Sequence, residues 1–217
     1  MKAIVTGSLG HMGKPLAEEL VQKGHTAVIV TGHIRHSKRQ NMNKSIKEIL
    51  WNQFGASIDM LINVISNCPD DYFVTHRRFY YIAFHSTIFL AYYSTIPPND
   101  FSPQLSFTQK EPKDRPKEAI DDLIPDKDYS KQEIVDYLKQ SREKCKQLIF
   151  GLTDEKSDQR FKEGDGPNDM DYPILEILLY NLRHTQHHTA QLNMLIQQDT
   201  GKHMEWSFRA GDIINGE

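Results

Sequence analysis

Three histidines carry the strongest chemical signal in this 217-residue chain: His85, His184 and His188. His184 and His188 lie four residues apart in the stretch ILEILLYNLRHTQHHTAQLNMLIQQ, residues 174 to 198. Its apolar seam reads Ile174, Leu178, Asn181, Thr185, His188, Leu192 and Leu195, in alternating steps of four and three. That is the period of one buried helix face. His188 therefore points toward the core, and His184 sits one turn earlier beside the seam. An i, i+4 pair stacks two imidazoles about 6 Å apart along the axis. Two ring nitrogens so placed can converge on one ion, each about 2.0–2.1 Å from it if the ion is zinc. His85 has Ile82, Phe89 and Tyr92 at helical steps, so it too occupies an apolar face, on a different helix. A lone histidine on such a face is more often a core residue bonded to a backbone or hydroxyl group, and for His85 alone that reading stays open. Burying several imidazoles without partners costs roughly 1–3 kcal/mol each, and one metal ion satisfies all of them. His187 points about 100° away from His188 and is read as a neighbour of the site or a surface residue.

Three imidazoles leave at least one coordination position open, as a catalytic metal site does. A metal there lowers the pKa of bound water or binds a thiolate. Zinc, nickel, copper and iron all suit imidazole. Asn181 and Gln191 lie near the same face and are candidates for orienting water, substrate or a ligand. Ordinary polar packing is the competing reading for both. No HExxH is present, so no glutamate base is written beside the ligands.

The elements that must position these residues are mostly helical. From residue 43 to 67, Ile46, Ile49, Leu50, Phe54, Ile58, Leu61, Ile62 and Ile65 recur at three- and four-residue steps, and Pro69 closes the pattern. A second helix is expected over 71–95, ending before Pro97 and Pro98. Residues 96–129 hold six prolines and form a long connection, with one short helix expected around 117–123. Such connections often wall a pocket. Ser130 and Glu133 form a capping box that opens a third helix. A polar loop follows over 153–170. Asp171 and Pro173 then start, and Gly201 stops, the helix of the histidine pair. Before all this, residues 3–6 and 26–31 read as strands around a helical pattern at 14–23, a β-α-β unit. The basic, polar run over 32–42 reads as a linker.

Composition bounds the function. Hydrophobic residues make up 38% of the chain and charged residues 25%, with a formal net charge of -3. That leaves room for a core and argues against general nucleic-acid binding, which needs a basic face. Cys68 and Cys145 are far apart and in no CxxC, as expected in a reducing cytoplasm. No apolar run approaches the roughly 18–20 residues of a membrane span, and no apolar signal segment opens the chain. A cytoplasmic location is expected.

The stretch 174–198, with YYIAFHSTIFLAYY at 80–93 and LWNQFGASIDMLINVISNCPDDYF at 50–73, resembles the DinB/YfiT-like superfamily over about residues 43–205. The HxxxH helix is the specific part. The resemblance implies a mainly α fold, a four-helix bundle of up-down-down-up topology, often dimeric. It places metal ligands on His85, His184 and His188. It also implies metal-dependent chemistry of the thiol transferase or hydrolase kind, with bacillithiol S-transferases and a mycothiol-dependent isomerase among its members. The opening MKAIVTGSLGHMGKPLAEELVQKGHTAVIVT resembles NmrA-like, extended short-chain-dehydrogenase NAD(P)-binding domains, with Gly7, Gly10 and Gly13 on their G-x-x-G-x-x-G loop. One β-α-β unit is not a dinucleotide-binding domain, and Thr31, Gly32 and His33 stand where an acidic residue is needed. A remnant without NAD(P) binding is therefore expected.

The chain is thus read as a Rossmann-like fragment at 1–31, a linker at 32–42 and a DinB-like bundle at 43–217. The leading functional reading is a divalent-metal-dependent enzyme acting on a small molecule, with a low-molecular-weight thiol as cosubstrate. A non-catalytic metal-binding or stress bundle is the alternative, and an NAD(P)-linked reductase the third.

Overall fold

The computed structural model describes residues 2–6, 22–23, 26–30 and 34–213. The chain divides into two compact units, Met1–Ile46 and Lys47–Glu217. In the first, strands β1 (Lys2–Thr6) and β2 (Thr26–Val30) pair in parallel, with Lys2 opposite Thr26 and Thr6 opposite Val30. Gly7, Gly10 and Gly13, and most of the helix expected at 14–23, lie outside the described residues. The linker expected over 32–42 is instead helical: α1 runs Ile34–Ser66. The run IRHSKRQNMNK contains no Gly or Pro and is rich in Arg, Lys, Gln and Met, all good helix formers. Its charge and polarity masked that propensity.

The second unit is mainly helical. Beyond α1 it contains α2 (Asp70–Thr75), α3 (Arg77–Tyr93), α4 (Lys131–Phe150), α5 (Asp154–Ser157) and α6 (Ile174–Thr200). The long helices share one core. Phe54, Ile58 and Leu61 of α1, Leu138 of α4 and Leu192 of α6 are all fully buried in it. Helix α3 packs against both α4 and α6.

The single helix expected over 71–95 breaks at His76, whose ψ of 80° leaves the helical region. The Thr75 hydroxyl donates to the Asp71 carbonyl at 2.7 Å, and the His76 N–H to Tyr72 O at 2.8 Å, which satisfies the first segment's end locally. Downstream, Ser86 and Thr87 donate back to Ile82 O and Ala83 O. These bonds let a segment rich in hydroxyl and aromatic residues stay helical in an apolar core. The capping box forms as expected: Ser130 Oγ accepts from the Glu133 N–H, and Glu133 Oε2 from the Ser130 N–H. Gly201 ends α6 at φ 70° with its N–H on Gln197 O, a left-handed cap that favours glycine.

The connection over 96–129 differs from expectation. Residues 117–123 form no helix. Strand β3 (Phe107–Gln109) pairs antiparallel with β4 (Leu123–Pro125), and Ala119 makes only a turn, its N–H on Pro116 O. Leu123 is buried, so that end of the segment is drawn into the core as a strand. Tyr80 Oη accepts from the Tyr129 N–H at 3.0 Å and pins the connection to α3. The segment over 153–170 also gains order. Strand β5 (Arg160–Lys162) pairs with β6 (Asp171–Pro173), and Phe161 packs buried with Tyr93 and Ile177.

Asp59 of α1 and Arg142 of α4 form a buried bidentate ion pair, and Asp59 Oδ2 also accepts the Gly211 N–H at 2.7 Å. Removing Asp59 takes the bidentate partner from a part-buried guanidinium, which keeps only Glu143, and the acceptor from the Gly211 N–H. Asp59→Ala is expected to destabilise the fold by about 3–5 kcal/mol, measured by urea unfolding. A loss under about 1 kcal/mol, the level of an exposed pair, would contradict this.

Candidate metal centre

Helices α3 and α6 bring the three histidines together. His85 Nε2 lies 3.0 Å from His184 Nε2, which lies 3.2 Å from His188 Nε2. One ring nitrogen from each falls within 4.8 Å of the others. His85 is no lone core histidine: its ring faces the α6 pair. His188 is buried, His184 half-buried beside the seam, and His187 exposed with its ring against His188.

The partners of the outer ring nitrogens decide where the lone pairs point. His85 Nδ1 meets Asp121 Oδ2, and a carboxylate only accepts, so the proton sits on Nδ1 and Nε2 carries a bare lone pair. His188 Nδ1 meets Gln191 Oε1 at 2.8 Å and is fixed the same way. Two bare nitrogens therefore face His184 Nε2. A proton there satisfies one of them at a time, and His184 Nδ1 is buried with no hydrogen-bond partner. A cation satisfies all three inner nitrogens at once. Bonds of about 2.0–2.1 Å to zinc would hold neighbouring nitrogens about 2.9 Å apart at right angles and about 3.4 Å apart at tetrahedral angles. The observed 3.0 and 3.2 Å fall between these limits. The residues present fit a divalent metal.

The surroundings are apolar and aromatic. Phe89 lies 4.5 Å from the His85 ring and 5.5 Å from that of His184, and Tyr93 lies 5.7 Å from His184. Burial pushes His184 down to about 3, aided by the neighbouring His188 and His85. Burial also pushes His188 down to about 4, with a contribution from His85 partly offset by the Gln191 bond. Both rings are neutral at neutral pH, the form a metal needs.

Of the other candidates, Gln191 reaches the group, its Oε1 2.8 Å from His188 Nδ1. Asn181 is fully buried and donates to Leu90 O and Ser94 Oγ, both at 3.2 Å. Its amide ties α6 to α3. Asp121 escaped sequence reasoning because it stands in the proline-rich connection, 36 residues from His85, with no local spacing to mark it.

A sequence model of the DinB superfamily matches residues 24–192, more than three quarters of the chain and all three histidines. The chain belongs to the DinB superfamily. The match starts earlier and stops sooner than the expected 43–205. It reaches into β2, so the resemblance of residues 1–31 to NmrA-like NAD(P)-binding domains finds no support. No curated protein and no solved structure matches this DinB-family chain. No described helix is long and apolar enough to cross a membrane.

A pH dependence follows from the neutral rings. Unfolded histidine titrates near 6.5, whereas the fold holds His184 to about 3 and His188 to about 4. Over that interval the unfolded chain binds protons that the fold excludes, so metal-free protein loses stability as pH falls from about 6.5 toward about 4. His184→Leu is expected to flatten that slope by about one proton, measured by urea unfolding across the interval. An unchanged slope would contradict a neutral, buried His184.

Proposed function

We propose that this DinB-family protein is a divalent-metal-dependent enzyme of the thiol transferase or hydrolase kind, with the metal on His85, His184 and His188. The observation that carries the reading is the convergence of three imidazole Nε2 atoms from two helices, two with tautomers fixed by Asp121 and Gln191. When bound, a divalent cation such as zinc or nickel supplies a Lewis acid that lowers the pKa of a coordinated water or thiol. The chain's residues do the rest. Asp121 and Gln191 hold two ligand rings in orientation, and Phe89 and Tyr93 set aromatic walls beside the rings. Apolar walls strengthen the charge interactions beside them. Three protein ligands leave room for a substrate atom, and a low-molecular-weight thiol is the proposed cosubstrate.

We further read α1, α3, α4 and α6 as a four-helix bundle of up-down-down-up topology, with the protein in a reducing cytoplasm. Cys68 and Cys145, both buried and not disulfide-linked, support that location. The burial of His188 and the half-burial of His184 lend support to a second reading, a non-catalytic metal-binding bundle. In that reading Asp121 and Gln191 serve only to hold ligands.

Metal analysis and turnover separate these. Purified protein is expected to carry a stoichiometric divalent ion, lost in His184→Ala and His188→Ala with helical content retained, and kept in His187→Ala. Equal metal content in all three variants would refute the assignment. Thiol-dependent turnover that chelation abolishes and zinc or nickel restores supports the enzyme. Full metal occupancy without turnover on any thiol or hydrolysable substrate supports the second reading.

A further inference from the structure

Residues 118–123 lie along α3 with two polar clasps. Arg78 Nη1 donates to Glu118 O at 3.2 Å and to Ala119 O at 3.3 Å. Seven residues on, two helical turns further along the same face, His85 Nδ1 meets Asp121 Oδ2. The second Asp121 oxygen, Oδ1, accepts the Leu123 N–H at 3.1 Å. Leu123 is buried in β4, and Ala119 and Ile120 pack half-buried on the core. One carboxylate therefore joins a histidine of the metal centre to the backbone of this segment.

We infer that Asp121 is a positioning residue for the metal centre, and that through it metal occupancy tightens residues 118–123 as a strap across α3. The inference rests on the metal-centre reading given above. A cation on His85 Nε2 draws electron density from the ring, so Nδ1–H becomes a stronger donor to the carboxylate. The strengthened bond holds Asp121, and Asp121 holds Leu123 and the chain before it. Coupling of this kind is reciprocal. If zinc tightens the strap, loosening the strap weakens zinc, even from the Arg78 clasp, which touches neither His85 nor Asp121.

The test is hydrogen exchange of the full chain, read by mass spectrometry with and without zinc, beside zinc titrations. Zinc is expected to slow exchange in 118–123 while leaving residues 134–149 of α4 unchanged. Asp121→Asn should remove the slowing and weaken zinc by about 10–100-fold. Arg78→Gln should weaken zinc by about fivefold, with its metal-free melting temperature little changed. Zinc binding with no change in strap exchange overturns the coupling and leaves the metal centre standing. The same holds if Arg78→Gln binds zinc like the wild type, or if Asp121→Asn lowers only the metal-free stability. Wild-type protein that binds no zinc overturns both.

Discussion

The arrangement depends on a single electrostatic constraint. Imidazole nitrogens from two helices meet in an apolar interior with their lone pairs aimed at one another. Neutral rings can relieve this only in part, because Asp121 and Gln191 hold the protons of His85 and His188 on the outer nitrogens. Phe89 and Tyr93 place aromatic faces against the rings and offer them no hydrogen bond. A cation at the common point removes the conflict. The packing of α3 on α6 and the tie from Asn181 to Leu90 and Ser94 hold the two helices at the separation that keeps the nitrogens close.

The long connection supplies a partner of the histidine group as well as a link between helices. It leaves α3 after Tyr93, forms the β3–β4 pair and returns to deliver Asp121 to the far side of the His85 ring. Tyr129 and Tyr80 then fasten its end before α4 begins at the Ser130 cap. The position of Asp121 is therefore set by strand pairing and by the burial of Leu123. Neither is a property of Asp121 or its immediate neighbours.

What the sequence disclosed follows from which signals are local. His188 falls on an unbroken apolar seam of α6, so its burial is written in the periodicity. His184 follows from helical spacing alone. The capping box at Ser130 and the stop at Gly201 are local chemistry and stand where they were expected. The meeting of His85 with the α6 pair is a tertiary fact that only the family resemblance anticipated. Asp121 carried no signal, since its partner lies 36 residues away across a proline-rich stretch. The run before residue 43 misled because charge resembles a linker while its residues favour helix. The break at His76 misled because a length without Gly or Pro resembles one helix, although Val74 and Thr75 are weak helix formers and the Thr75 hydroxyl competes for the backbone.

The central claim is a metal held by imidazoles from both α3 and α6. X-ray absorption spectroscopy of the zinc-loaded protein reads its ligands directly. The account predicts three imidazole nitrogens at about 2.0–2.1 Å with a light oxygen or nitrogen atom completing the shell. A sulfur shell at about 2.3 Å, or a single imidazole, would contradict it.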